Sequence, residues 1–277
     1  MRRGYRVEMW KDYFYEKNLT ELLTTTMQAQ LNILGKKHHA SLLEPLDISL
    51  AVRFDGSDPN CFYAPLPEVS PVVAGNFIGS ISAGGLVNFK TVTINPHGNG
   101  THTECVGHIA KEVYNLSDCL KRFIFSARLI SIYPQRMDNG DRCITKDQLA
   151  AIIRPGEVEA IILRTMPNDA SKICRQYSGT NPPYLEEAAA QLMVDCGINH
   201  LLLDLPSVDK EQDEGQLLAH KAFWQYPFDT RKHATITEMI YISPQIDDGL
   251  YLLQMQITSF VLDASPSKPV LYKLTKV

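Results

Sequence analysis

The sequence predicts an α/β protein folded as a single domain on a mixed sheet. Three observations carry that reading. Through the second half, short apolar runs alternate with amphipathic stretches, which is the rhythm of βαβ units. Two of the runs, 158–164 and 200–205, are apolar almost throughout, as strands covered on both faces are. The chain has 277 residues, 44% of them apolar and 21% charged, and is long enough to build a large core without disulfide staples.

The elements follow in order. Residues 8–35 space their leucines and methionine (Leu19, Leu22, Leu23, Met27, Leu31) as a helix does, with few breakers. This predicts a helical extension over 1–45, packed peripherally, ahead of a main domain over 46–277. His38 and His39 close that extension as solvated turn residues. Leu46 to Val52 alternates apolar and polar, a strand signal. Residues 55–76 hold several prolines and glycines and read as a long irregular loop, of the kind that serves function. Phe62 and Tyr63 in that loop are candidates to line an apolar substrate pocket. Residues 87–94 alternate again and form a strand leading into a histidine cluster.

Further on, 127–132 reads as a strand and 145–153 as a helix with Thr145 at its N-cap. Residues 184–196 make an amphipathic helix stopped by Gly197. Residues 215–224 are helical, and 235–242 and 251–262 are strands.

Composition excludes several function classes. The net charge is -4, from 27 Lys plus Arg against 31 Asp plus Glu, with no basic stripe, so a nucleic-acid partner is not expected. No apolar run reaches the length of a membrane span, and the first fifteen residues lack the apolar core of a signal peptide. A cytoplasmic location is expected. The 6 cysteines are widely spaced with no C-x-x-C pair, which predicts reduced thiols.

The chemistry is concentrated in Asn95-Pro96-His97-Gly98-Asn99-Gly100-Thr101-His102-Thr103-Glu104-Cys105-Val106-Gly107-His108. Three imidazoles and a carboxylate fall in one glycine-rich stretch. Neutral imidazole and carboxylate are the donors that zinc and its neighbours take. His102 and Glu104 are two apart, so on an extended backbone they point the same way. Later in the chain, Glu238 sits inside an apolar strand, where an unpaired carboxylate is costly.

This stretch resembles the signature His-x-Gly-Thr-His-x-Asp-x-Pro-x-His of the metal-dependent cyclase family, which includes bacterial kynurenine formamidases and isatin hydrolases. Gly100-Thr101-His102 matches its Gly-Thr-His, Glu104 stands at the Asp, Val106 at the Pro and His108 at the last His. Strict spacing puts Gly98 at the first His, and His97 lies one residue earlier. Leu203-Asp204-Leu205-Pro206-Ser207-Val208-Asp209, His220 and Thr237-Glu238-Met239 follow in the family's order, and the resemblance spans roughly 46–273.

The resemblance implies a swivelling β/β/α-type domain and a site able to hold two divalent ions. His97, His102 and Glu104 would hold the first, and Glu104, His220 and Glu238 the second. His108 would act as the general acid/base, and Phe62, Tyr63 and Trp224 would receive an aromatic substrate. Zinc is the first choice and manganese the second, because imidazole with carboxylate suits both. The implied reaction is hydrolysis of an amide, formamide or cyclic amide by metal-activated water, on a small-molecule substrate, in a homodimer or homotetramer. Two alternatives stand beside it: a lyase or dehydratase using the same metal, and a non-catalytic small-molecule binding protein.

Overall fold

The computed structural model describes residues 26–276. The chain opens with the hairpin β1 (Gln28–Ile33) and β2 (Lys36–Ser41), then β3 (Leu46–Asp47). The next segment carries β4 (Glu68–Pro71), β5 (Val73–Ala74), β6 (Phe77–Ile78) and β7 (Lys90–Thr93). There follow β8 (His102–Glu104), β9 (Ile124–Ile132), β10 (Gln135–Arg136), β11 (Arg142–Ile144) and β12 (Ala160–Thr165). The last are β13 (Tyr184–Leu185), β14 (His200–Leu203), β15 (Thr235–Glu238), β16 (Gly249–Gln254), β17 (Ala264–Pro266), β18 (Val270–Lys273) and β19 (Thr275–Lys276).

Nine strands join in the order β17-β8-β15-β14-β12-β9-β16-β18-β3. The pairs β9–β12, β12–β14 and β14–β15 are parallel, and the flanking pairs are antiparallel. The sheet is therefore mixed, as the sequence predicts. Residues of β12 and β14 alternate between two cores. Ile161, Leu163, Leu201 and Leu203 face the helices, against Leu149, Met193, Phe223 and Trp224. Ile162 and Leu202 face the other layer, against Ile48, Ile240 and Leu253. Burial on both faces is why these strands lack alternation in sequence.

The helices are short. Lys146–Ala150 begins at Thr145 with a full capping box to Gln148. Glu187–Asp195 starts three residues later than its sequence pattern, because Tyr184 and Leu185 pair with β11 as β13. Gly197 follows it at φ +81°, in the left-handed conformation that ends helices. Leu218–Trp224 completes the set that positions the site.

The N-terminal segment departs from expectation. Residues 28–41 are strand, turn and strand where helix was predicted, and 8–25 lie outside the described residues. Leu34 and Gly35 both take positive φ, and Ile33 pairs directly with Lys36, a two-residue type I′ hairpin turn. Ala29, Leu31 and Ile33 then alternate onto one face and pack on Leu252 and Leu274. A leucine at the turn hides the usual Asn-Gly signal, and Met27 and Leu31 fit a helical period by coincidence. His38 and His39 are accordingly strand residues: His38 is buried, and β2 pairs with β19 at the far end of the chain. The predicted long loop holds β4, which pairs with β7, and β5, which pairs with β6.

All six cysteines are free, with Cys61, Cys105, Cys143 and Cys196 buried. Among the described residues no helix is long and apolar enough to cross a membrane.

Candidate metal centre

The cluster forms where β8 lies against the carboxyl end of β15. Antiparallel register sets His102 opposite Glu238 and Glu104 opposite Ile236. His102 and Glu104 point to the same side, as their spacing of two requires. Thr101 between them and the turn donates its hydroxyl to Met239 O at 2.6 Å and accepts Leu50 N at 2.8 Å, fastening the start of β8.

The turn ahead of β8 is built by asparagines. Asn95 Oδ1 accepts Gly98 N, and Asn99 Oδ1 accepts Asn95 N. A Cβ at Gly98 would meet Ala64 Cβ at 2.2 Å. No side chain fits at 98, so the first imidazole comes from His97. Gly100 takes φ +83°, a conformation costly to other residues, and its carbonyl accepts from His102 Nδ1 at 3.1 Å.

Glu104 lies at the centre and is fully buried. His220 Nε2 is 3.2 Å from its Oε1, while His97 Nδ1 and His108 Nδ1 are 3.1 and 3.7 Å from its Oε2. Glu238 Oε2 lies 3.4 Å from His102 Nε2, and its Oε1 accepts the amide of Val208 at 3.0 Å. Burial opposes ionisation of Glu104, but the surrounding His108, His220 and His97 hold its carboxyl well below the usual range. Burial likewise opposes charge on His220 and His97. Hydrogen bonds from His220 to Asp209 and Glu104, and from His97 to Asp263 with the Glu104 charge beside it, nevertheless carry each imidazole up to about 10.

Donor chemistry tests whether a divalent ion fits. His102 Nε2 and Glu104 Oε2 are buried and have no hydrogen-bond partner of acceptable geometry. His102 Nδ1 is committed to the Gly100 carbonyl, which leaves Nε2 as the ring nitrogen that faces the cluster. Buried polar atoms are rarely left this way without a partner such as an ion. Among the described residues, three overlapping triads have their donor atoms within 4.8 Å of one another: His97, His102 and Glu104; Glu104, His108 and His220; His97, His108 and Asp263. The residues present fit a divalent ion.

The first triad is the one the sequence predicts. The second differs from expectation, drawing His108 alongside Glu104 and His220, with Glu238 standing beside His102 instead. One oxygen of Glu238 is held by Val208 N, which ties it to the chain after β14. Two carboxylates that sequence reasoning undervalued complete the surroundings. Asp209 Oδ2 is 2.6 Å from His220 Nδ1, and Asp263 Oδ2 is 2.8 Å from His97 Nε2. Asp209 was legible only as a turn residue in the Ser-Val-Asp segment. Asp263 lies far along the chain and carries no sequence signal.

A cavity of about 330 Å³ opens onto the cluster, lined by Phe62, His97, His108, Asp209, His220 and Glu238 among others. Phe62 is where the sequence expects it. Tyr63 is not: it is 76% exposed and outside the lining, and its amide donates to Ser178 Oγ. Both residues take positive φ, and this tight turn sends successive side chains apart. Trp224 also differs from expectation. It is fully buried beneath His220, ring centroids 5.3 Å apart, with its indole N–H donated to Ala234 O. It sits on the core face of its helix and supports the histidine from below.

The fold and the cluster thus define an α/β domain with a histidine–carboxylate cluster able to hold a metal, at the carboxyl ends of its parallel strands. Residues 23–210 match the family described as "Putative cyclase", and the chain belongs to that family. No curated protein matches it in sequence. Three solved structures share its fold. The structure of a potential metal-dependent hydrolase with cyclase activity is 17% identical, with 83% of this chain and 97% of that one covered, at TM-score 0.59. An isatin hydrolase bound to the product analogue thioisatinate is 16% identical, covering 84% and 93%, at TM-score 0.61. Isatin hydrolase A from Labrenzia aggregata, bound to benzyl benzoate, is 13% identical, covering 83% and 93%, at TM-score 0.59.

Proposed function

We propose that this chain is a metal-dependent hydrolase that opens an amide, formamide or cyclic amide of a small aromatic substrate, leaving a carboxylate and an amine. The observation that carries the reading is the pair of orphaned buried atoms, His102 Nε2 and Glu104 Oε2, inside one cluster of imidazoles. His97, His102 and Glu104 would hold the ion, with His220 completing the ring around Glu104. When bound, zinc or manganese supplies Lewis acidity that polarises a carbonyl and lowers the pKa of water from 15.7 toward ~7.

The chain's own residues do the rest. His108 lines the cavity with its side chain 33% exposed, reachable from substrate and from Glu104 alike, and is placed to carry a proton to the leaving nitrogen. Glu238, anchored by Val208 N, keeps a carboxylate facing His102. Phe62 gives the cavity an apolar wall for a flat ring. The isatin hydrolase among the fold neighbours acts on such a ring, which supports this substrate class. A homodimer or homotetramer belongs to the same proposal.

The deciding experiment joins metal analysis to an assay panel of aryl formamides and cyclic amides. Bound zinc or manganese near stoichiometry, with turnover of one panel member that chelation abolishes, is the expected result. Less than about half an equivalent of metal and no turnover would replace the hydrolase with a small-molecule binding protein.

A further inference from the structure

Asp263 stands outside the ligand set just described, yet it touches two of its histidines. Its Oδ2 lies 2.8 Å from His97 Nε2 and 3.7 Å from His108 Nδ1. The other nitrogen of His97, Nδ1, is 3.1 Å from Glu104 Oε2. On the opposite side of Glu104 the same arrangement recurs. His220 places Nδ1 at 2.6 Å from Asp209 Oδ2 and Nε2 at 3.2 Å from Glu104 Oε1. Glu104 is therefore flanked by two carboxylate–imidazole pairs, each with one ring nitrogen turned inward.

We propose that Asp263 is a positioning residue for His97: it accepts the Nε2–H and leaves the Nδ1 lone pair facing Glu104 as the metal-binding atom. This rests on the metal-dependent reading above and adds which nitrogen binds and which carboxylate fixes it.

The argument starts from the imidazole. In its neutral form one nitrogen donates and the other accepts, and the partner of one decides the role of the other. A carboxylate on the far nitrogen orients the ring and raises the basicity of the near one. His102 gets this service from the Gly100 carbonyl on Nδ1 and presents Nε2. His97 has no such carbonyl. It sits on the turn before β8 with its side chain 27% exposed, so something else must hold it. Gly98 cannot carry a ligand, because a Cβ there would meet Ala64 Cβ at 2.2 Å. The imidazole therefore arrives one residue early, and Nδ1, the nitrogen nearer its own backbone, is the one that meets Glu104.

Asp263 is well placed for this task. Its carbonyl accepts Cys105 N at 3.0 Å, Leu262 O accepts Leu116 N at 2.7 Å, and the next residue, Ala264, pairs with Glu104 across β17 and β8. The carboxylate is thus fixed relative to Glu104 by strand register, on an element that sequence distance separates widely from the histidine motif.

The competing arrangement makes Asp263 a direct ligand with His97 and His108, which would turn His97 Nε2 toward the ion. Zinc competition titrations and long-range ¹⁵N imidazole spectra of the zinc-loaded full chain separate the two. In the wild-type chain, His97 is expected to show a protonated Nε2 and a zinc-shifted Nδ1. Asp263→Ala should weaken zinc binding by about 10–100-fold, and Asp263→Asn by less, since its amide oxygen still accepts. On a His97→Ala background, Asp263→Ala should add little, because the two residues act as one unit. Unchanged zinc affinity in Asp263→Ala, or a His97 bound through Nε2, overturns the proposal. A wild-type chain that takes up neither zinc nor manganese overturns the metal-dependent reading itself, and this inference falls with it.

Discussion

Asp209 holds His220 twice over. Its Oδ2 lies 2.6 Å from the ring Nδ1, and its two oxygens accept the backbone N–H groups of Ala219 and His220 at 2.7 and 3.2 Å. One carboxylate thus fixes both the first turn of the helix and the direction of the imidazole it carries. Asparagine keeps a side-chain acceptor for the helix but loses the charge on the ring. Asp209→Asn should therefore weaken metal binding by about 10–100-fold while the fold persists. Zinc competition titration with a parallel thermal melt checks this, and equal affinity in the variant would count against the geometry.

Metal uptake should release protons. His97 and His220 stand near 10 in the metal-free chain, so both are protonated at neutral pH. A ligand nitrogen must give up its proton, so apparent affinity rises with pH and levels off near 10. The sign for stability is the opposite. These raised values stabilise the metal-free fold fully below the unfolded imidazole value of about 6.5, and that contribution fades as pH climbs through about 10. Calorimetric titration with zinc in buffers of different ionisation enthalpy measures the release; heats independent of buffer would contradict it.

His108 should separate catalysis from metal capture. It is the most exposed histidine of the cluster, lying 3.7 Å from both Glu104 and Asp263. His108→Ala should keep most of the bound metal and lose about 10²–10⁴-fold in rate on a responsive substrate. Metal content measured beside kcat decides the point, and loss of both together would make His108 a ligand above all.

Trp224 should matter for stability and not for substrate recognition. It is completely buried, with its N–H satisfied by Ala234 O. Trp224→Ala should cost about 3–5 kcal/mol, as large-to-small core changes do. Trp224→Phe should retain fold and KM. Chemical denaturation and substrate kinetics on the two variants provide the check, and a KM that rises sharply in Trp224→Phe would restore the tryptophan to the pocket.

The main sheet was legible wherever burial on both faces removes alternation, as in β12 and β14, because a short continuous apolar run bounded by turns has few other homes. His102 and Glu104 were legible too, since they converge by strand periodicity, while His97 entered through the family resemblance. The hairpin over 28–41 was not. Its turn depends on Leu34 accepting a left-handed conformation, and its apolar face has meaning only against Leu252 and Leu274. Local spacing there is compatible with a helix, and packing overrules it.

The sequence by itself determined that this chain builds a large α/β core, that its chemistry gathers at His97–His108, and that His220 joins that cluster. Period, residue type and motif spacing are local properties, and His220 was reached through the order of motifs that the family resemblance supplies. Only the tertiary structure decided that Asp209 and Asp263 flank Glu104, that Trp224 lies beneath the site, and that Gly98 is packed too tightly against Ala64 to carry a side chain. Those relations join residues far apart in the chain through strand register and side-chain contact, and no local pattern records which distant backbone will arrive beside a given imidazole.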